Sequence, residues 1–360
     1  MMKLKHRIQA FVALGEAIRT YLPGHNLQNK KPGFNYYHEL IHQSIKKSIE
    51  NNQWFIQQHI LYALRAISNM LTFQNLDSWL EHYDLNSNQD KKPLEIGVIN
   101  AGNIPAVGFH DFLTVLITGN KYAGKLSSDD PYLLPCFAEI LINIDKKFSD
   151  LITFHPKIPL NADAVIATGS NNTARYFDFL YGSKPHIFRQ NRNGIAILSG
   201  KETELQLINL TRDIFMHFGL GCRNVSKLYI PVGYDFKSLI KAFKTADYVL
   251  NHKPFMNNYR YQKALNSMQE SGVIDNGFIL LINSLLISSQ PATLHYEFYD
   301  DNKSLKSLIN NQNNEIQCIS GLPSLHYKTI DFGKTQEPEL SDYADGIDTI
   351  EFINSLKLNQ

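Results

Sequence analysis

The chain has 360 residues, 43% of them apolar and 19% charged, and a formal net charge of +1. These values are ordinary for a globular chain with a sizeable core and two or three structural units, and they exclude a strongly basic nucleic-acid binder, so no nucleic-acid partner is expected. Three widely spaced cysteines, Cys136, Cys222 and Cys318, exclude a disulfide framework or a zinc cluster and point to a reducing, cytoplasmic setting.

The N-terminus is basic and then apolar. Its apolar run is short and interrupted by Glu16, which does not suit a signal peptide. Phe11, Leu14, Ile18 and Leu22 share one helical face, which predicts an amphipathic helix. Residues 1 to about 90 read as helices throughout, with His38, His42 and His59 expected at solvated helical positions, and 86–92 reads as a linker. No run is long enough to span a bilayer; the best candidate, 277–287, is about half the needed length.

The pattern then changes. Leu94–Ile99 reads as a buried strand, followed by Asn100-Ala-Gly-Asn-Ile-Pro and a helix from about Ala106. Tyr122–Leu126 reads as a second strand, and Asp129, Asp130 and Pro131 open a helix, with acid and proline in the first turn. Ala162–Ala167 reads as a third strand, and Gly169-Ser170-Asn-Asn leads into a helix through Tyr181. His186–Phe188 and Ile195–Leu198 read as further strands. From Lys201 a second α/β unit begins, with strands expected around Leu228–Ile230, 278–282, 295–299 and 316–319. Its helices are expected at 236–250, 257–271 and after Asp300. The tail from Gly321 ends in a helix at 347–356. Strands alternating with helices imply mainly parallel sheets covered on both faces, with ligands at the carboxyl ends of the strands.

One stretch organises the chemistry. Phe215–Pro231 places Cys222 just after Gly219 and Gly221, on a loop between a helix and a buried strand. Such a loop suits a nucleophile, although a lone cysteine is more often an inert core residue. Cys136, within an apolar helix, and Cys318, in a strand, read as core. His217 reads as structural, and Arg223 reads either as a group that lowers the thiol pKa or as a surface residue. Upstream, Asn103 reads either as an oxyanion donor, partnered by the backbone N–H of Cys222, or as a cap of the next helix. Lys125 reads either as a ribose or phosphate ligand or as a solvated lysine. Gly169 and Ser170 end a strand and open a helix, an arrangement suited to a pyrophosphate, but no GxGxxG is present.

The order and spacing of four motifs resemble the aldehyde dehydrogenase superfamily, from about residue 94 to 231. Val98-Ile-Asn-Ala-Gly-Asn103-Ile-Pro resembles its oxyanion-asparagine loop. Gly119-Asn-Lys-Tyr-Ala-Gly-Lys125-Leu-Ser127-Ser128 resembles its adenosine-ribose strand. Ala167-Thr-Gly169-Ser170 resembles its pyrophosphate turn, and Gly219-Leu-Gly-Cys222 resembles its nucleophile loop. The branch most resembled is the LuxC-type fatty acyl-CoA reductases. Where aldehyde-oxidising members carry a general-base glutamate, 186–195 has no acid, and none lies between Asp178 and Glu202. The later glutamate that holds the nicotinamide ribose has no counterpart near 288–292, and Glu297 does not replace it.

The resemblance implies an α/β, aldehyde dehydrogenase-like fold with a Rossmann-type dinucleotide-binding domain and an α/β catalytic domain. The expected divisions are a helical N-terminal segment 1–90 packed on the cofactor domain, a dinucleotide-binding domain 91–199, a catalytic domain 200–320, and a segment 321–360 returning to the cofactor domain. It implies an acyl-CoA or acyl-carrier thioester attacked by Cys222, with Asn103 at the oxyanion. Lys125, Ser127, Ser128, Gly169 and Ser170 are expected at the cofactor. Ser128 stands where NAD-preferring relatives carry an acid, so NADPH is expected, with NADH the alternative. A homo-oligomer and an acyl-activating partner enzyme are further expectations. Two alternatives stay open: a reductase of another activated acyl group, and an acyl-transfer or acyl-binding subunit without redox activity.

Overall fold

The computed structural model describes residues 2–24, 34–85, 92–159, 161–169, 171–267, 272–322 and 327–358. The chain divides into two compact units, Met1–Gln190 with Glu339–Gln360, and Asn191–Pro338.

The first unit begins with four helices, α1 Leu4–Tyr21, α2 Phe34–Asn51, α3 Gln57–Met70 and α4 Phe73–Leu80. Phe11, Leu14 and Ile18 on α1 are fully buried, as their spacing predicts. The buried Arg7 donates from Nε to the carbonyl of Ile117 at 2.8 Å, so its charge ends on a helix C-terminus, where a cation is favourable. His59 corrects the expectation of a solvated histidine: it is 1% exposed, on the face of α3 that also buries Ile60 and Leu64.

A five-stranded sheet follows. Its elements are β1 Glu95–Ile99, α5 Phe109–Ile117, β2 Lys121–Lys125, α6 Leu133–Ile144, β3 Ile152–Phe154, β4 Ala164–Thr168, α7 Asn171–Tyr181 and β5 His186–Arg189. The strand order is β3-β2-β1-β4-β5, and every pairing is parallel. The chain steps outward from β1 through β2 to β3, then crosses back to β4 on the other side. That reversal leaves a crevice outside the carboxyl ends of β1 and β4, where doubly wound sheets take ligands.

The second unit holds β6 Asn193–Ile197, α8 Glu204–Phe215, β7 Val225–Pro231, α9 Lys237–Phe243, α10 Lys253–Asn266, β8 Ile274–Asp275, β9 Leu280–Asn283, β10 Thr293–Tyr299, α11 Asn302–Asn311 and β11 Ile316–Gly321. Its sheet runs β11-β6-β7-β10-β9-β8, parallel except for the short β8 against β9. Thr203 and Gln206 cap α8 reciprocally, and Asp301 and Ser304 do the same for α11. The chain ends in α12, Thr349–Leu358, back in the first unit against α5.

The units divide at Gln190/Asn191 rather than at 199/200. The cause is β6, whose backbone pairs with β7 and β11 and so belongs to the second sheet. The tail differs likewise: only Glu339 onward returns to the first unit. Residues before it stay with the second because Ile330 bridges Ser320 and because Asp213 binds Gly333 and Thr335. Residues 1–80 are not a separate body, since α1 and α2 pack on α6. No helix among the described residues is long and apolar enough to cross a membrane.

Candidate active site

In the first unit the loops after β1 and β2 are fastened to each other. Asn100, directly after β1, is 8% exposed; its Nδ2 donates to the Tyr122 hydroxyl at 2.9 Å and to the Lys125 carbonyl at 3.1 Å. Gly102 has no room for a side chain, because a Cβ there would lie 2.5 Å from Ser127 Oγ and 2.6 Å from Ser127 Cβ. The Ser128 and Asp129 carbonyls accept from Asn51 and Asn52 at the end of α2, at 2.8 and 3.2 Å. Ala106, at φ 54°, donates its N–H to Asp130 at 2.7 Å, and burial pushes that carboxyl up to about 6 against the backbone donors around it.

On this frame Asn103 is exposed, Lys125 and Ser127 are half-buried, Ser128 is exposed, and Gly169 is half-buried at the end of β4. The Gly169 N–H donates to the Arg189 backbone carbonyl at 3.4 Å. Ser170 lies outside the described residues. The loops of Asn103, Ser127 and Gly169 thus follow three adjacent strands at the crevice where the strand order reverses. Gly102 lets the loop after β1 pack directly against Ser127 and Asp129 of the loop after β2.

In the second unit Cys222 is half-buried, in the turn between α8 and β7. The preceding backbone is unusual: His217, Phe218 and Gly219 are left-handed in succession, at φ 51°, 57° and 77°. Each non-glycine residue held so costs about 1–3 kcal/mol. The turn is held from several sides. Phe218 stacks on His252 with ring centroids 3.8 Å apart, and Tyr248 donates to the Phe215 carbonyl at 3.1 Å. Arg223 Nε donates to the Thr335 carbonyl at 2.6 Å. A small pocket beside the turn has a mixed lining that includes Phe215, Phe218, Phe255, Ser226, Ser289 and Thr293. Burial pushes His217 down to about 4, so it is neutral at pH 7 and sits in the turn as a structural residue. Cys136 and Cys318 are buried, and burial pushes the Cys136 thiol up to about 11, which leaves it unreactive.

Residues 25–178 match the family model "Acyl-CoA reductase (LuxC)". A long-chain acyl-protein thioester reductase of Aliivibrio fischeri is 24% identical over 171 residues, 43% of this chain and 35% of that one. Among solved structures, an indole-3-acetaldehyde dehydrogenase in complex with NAD+ superposes with a TM-score of 0.63 at 13% identity, over 91% of this chain and 73% of the other. Aldehyde dehydrogenase 21 of Physcomitrella patens, in complex with succinate, gives 0.61 at 12% identity over 96% and 79%. Residues 25–178 are LuxC-like, and the chain has the aldehyde dehydrogenase fold. The family match ends at residue 178, before Cys222, and the chain covers about a third of the length of its curated relative.

In this chain the stretch without acids is occupied by a cation already engaged. Arg189 forms a buried two-pronged pair with Asp111, at 2.5 and 2.8 Å, and donates to Thr349 at 3.1 Å. Glu202, the next acid along, caps the chain before α8 by accepting from Ser199 and Gly200. Glu297 pairs with the buried Lys227, which also donates to the Leu285 carbonyl at 2.9 Å. Three groups around the site were not singled out from the sequence: Asn100, Asp213 and Asn224. Each is a polar side chain with almost no exposure, and its role lies in long-range partners that no local pattern encodes.

Proposed function

We propose that the chain reduces an acyl thioester, a long-chain acyl group on CoA or on a carrier protein, to the aldehyde through an acyl-Cys222 intermediate, with NADPH as reductant. The observation that carries this reading is a half-buried cysteine on a strained, multiply braced turn of an aldehyde dehydrogenase fold. The LuxC match and the acyl-protein reductase relative support the substrate class.

The Cys222 thiolate attacks the thioester carbonyl. The new C–S bond forms, the Cys222 N–H stabilises the oxyanion, and the bond to the carrier sulfur breaks as the carrier thiolate leaves. A reduced nicotinamide, when bound, would supply the hydride that reduces the acyl carbon. The resulting thiohemiacetal on Cys222 collapses, releasing aldehyde and restoring the thiolate. A thiolate needs no general base as leaving group or nucleophile, so the lack of acids between Asp178 and Glu202 keeps water from being activated while leaving transfer intact. Lys125, Ser127 and Gly169 are assigned to the cofactor. Ser128, uncharged and exposed, leaves room for a 2′-phosphate.

The test is incubation with tetradecanoyl-CoA and NADPH, following reduced nicotinamide and aldehyde together. The expected result is one aldehyde formed per NADPH consumed, with NADH slower. Acyl movement from CoA to another thiol with no nicotinamide consumed would instead make the chain an acyl-transfer subunit.

A further inference from the structure

We infer that Asn224 is the positioning residue for Cys222: its side chain ties the end of α8 to the turn that carries the thiol and sets that thiol's reactivity. The inference rests on the reading of Cys222 as nucleophile. Asn224 is 1% exposed and lies two residues after Cys222. Its Nδ2 donates to the Asp213 and Met216 carbonyls at 2.9 and 2.8 Å, and reaches that of Ile214 at 3.5 Å. These belong to the last turn of α8 and the residue after it, where helix carbonyls lack intrahelical donors. Its Oδ1 accepts the Gly221 N–H at 2.8 Å, and its own N–H donates to the Gly221 carbonyl at 3.0 Å. One side chain therefore spans the turn from both ends.

Two consequences follow. The left-handed residues His217 and Phe218 are strained and persist only where the surroundings over-determine them. Asn224 does this by fixing both ends: its carboxamide oxygen holds the Gly221 N–H, and its backbone N–H holds the Gly221 carbonyl, which belongs to the peptide that leads into Cys222. The second consequence is electrostatic. A helix C-terminus carries partial negative charge, which disfavours a neighbouring thiolate. The Asn224 amide covers those carbonyls with its two hydrogens.

The test compares wild type, Asn224→Ala and Asn224→Asp, with Leu305→Ala as a control for lost stability; Leu305 is buried in a cluster with Ile195, Ile309 and Ile316. Two quantities are read per folded protein: single-turnover acyl transfer from tetradecanoyl-CoA, and the pH profile of Cys222 alkylation by iodoacetamide, located by peptide mass. Asn224→Ala should slow transfer by about 100-fold, the usual cost of a misplaced reacting group, with the KM for the thioester nearly unchanged. Its alkylation at neutral pH should be about tenfold slower, with the profile moved to higher pH. Asn224→Asp keeps the acceptor for Gly221 but puts a carboxylate against the helix carbonyls, and should move the profile further. Leu305→Ala should match wild type in both.

Wild-type transfer and alkylation profiles in both Asn224 variants would overturn the inference, as would a Leu305→Ala variant as slow as Asn224→Ala. If wild type takes no acyl group on Cys222, the nucleophile reading fails by itself. The alkylation profiles then still decide whether Asn224 sets the thiol.

Discussion

Replacing Asp213 with alanine removes the anchor of the tail that crosses the second unit. Its carboxylate is 1% exposed and accepts from the Gly333 N–H at 2.7 Å, the Thr335 N–H at 3.1 Å, the Thr335 hydroxyl at 2.9 Å and the Ser320 hydroxyl at 3.2 Å. Burial pushes this carboxyl upward, and the same four donors pull it back. A hydrogen bond to a charged group contributes about 1.5–3 kcal/mol, and each buried donor left unmade costs about 1–3 kcal/mol. The desolvation cost of the carboxylate, relieved in the variant, offsets part of the sum, so a net loss of about 3–5 kcal/mol is expected. The loss is local before it is global. The Thr335 carbonyl is the acceptor for Arg223, next to Cys222, so freeing the tail also loosens the turn. Hydrogen exchange of the Gly333 and Thr335 amides reads this directly: both should be protected in wild type and exchange at least ~100-fold faster in Asp213→Ala, corresponding to about 3 kcal/mol of lost local stability. Ser320→Ala, which removes the longest of the four bonds, should cost about 1 kcal/mol. Unchanged protection at Thr335 in Asp213→Ala would refute the reasoning.

Other expectations follow from the same geometry. Asp130 rises from 3.8 to about 6, so the folded state binds the extra proton between those values and the first unit loses stability as pH rises through them. Asp130→Asn should remove that slope, worth about 3 kcal/mol at most, in pH-dependent denaturation. His217 shows the opposite sign: with its folded value pushed from 6.5 down to about 4, stability of the second unit falls as pH drops through that interval. Breaking the Arg189–Asp111 pair by Asp111→Ala should cost about 3–5 kcal/mol, because a buried guanidinium is left without its carboxylate; thermal unfolding measures it. Ser128→Glu should weaken NADPH by at least ~10-fold while sparing NADH, since an acid repels the 2′-phosphate; equal loss of both cofactors would remove Ser128 from the specificity argument.

Much of the fold was legible because parallel strands buried on both faces are continuous apolar runs. β1 and β4 were therefore read within two residues of their observed ends. β3, three residues at the sheet edge, and β8, two residues, carry too little pattern to be read. The division at Gln190/Asn191 was missed for a different reason: which sheet takes β6 depends on pairing with β7 and β11, partners distant in sequence. His59 was misjudged because it sits at the edge of the apolar stripe of α3, where packing decides burial. Motif order placed Asn103, Lys125, Ser127 and Gly169 at the ends of β1, β2 and β4, where the structure has them. Asn224 and Asp213 were not, because a polar residue that will be buried looks like any surface asparagine or aspartate until its partners are known.

The most direct measurement is the intact mass of wild type and Cys222→Ala after exposure to a long-chain acyl-CoA, before and after NADPH. One acyl adduct is expected on wild type alone, stable until NADPH is added and then discharged as aldehyde. No adduct on wild type across several chain lengths, or an equal adduct on Cys222→Ala, would contradict the acyl-Cys222 intermediate.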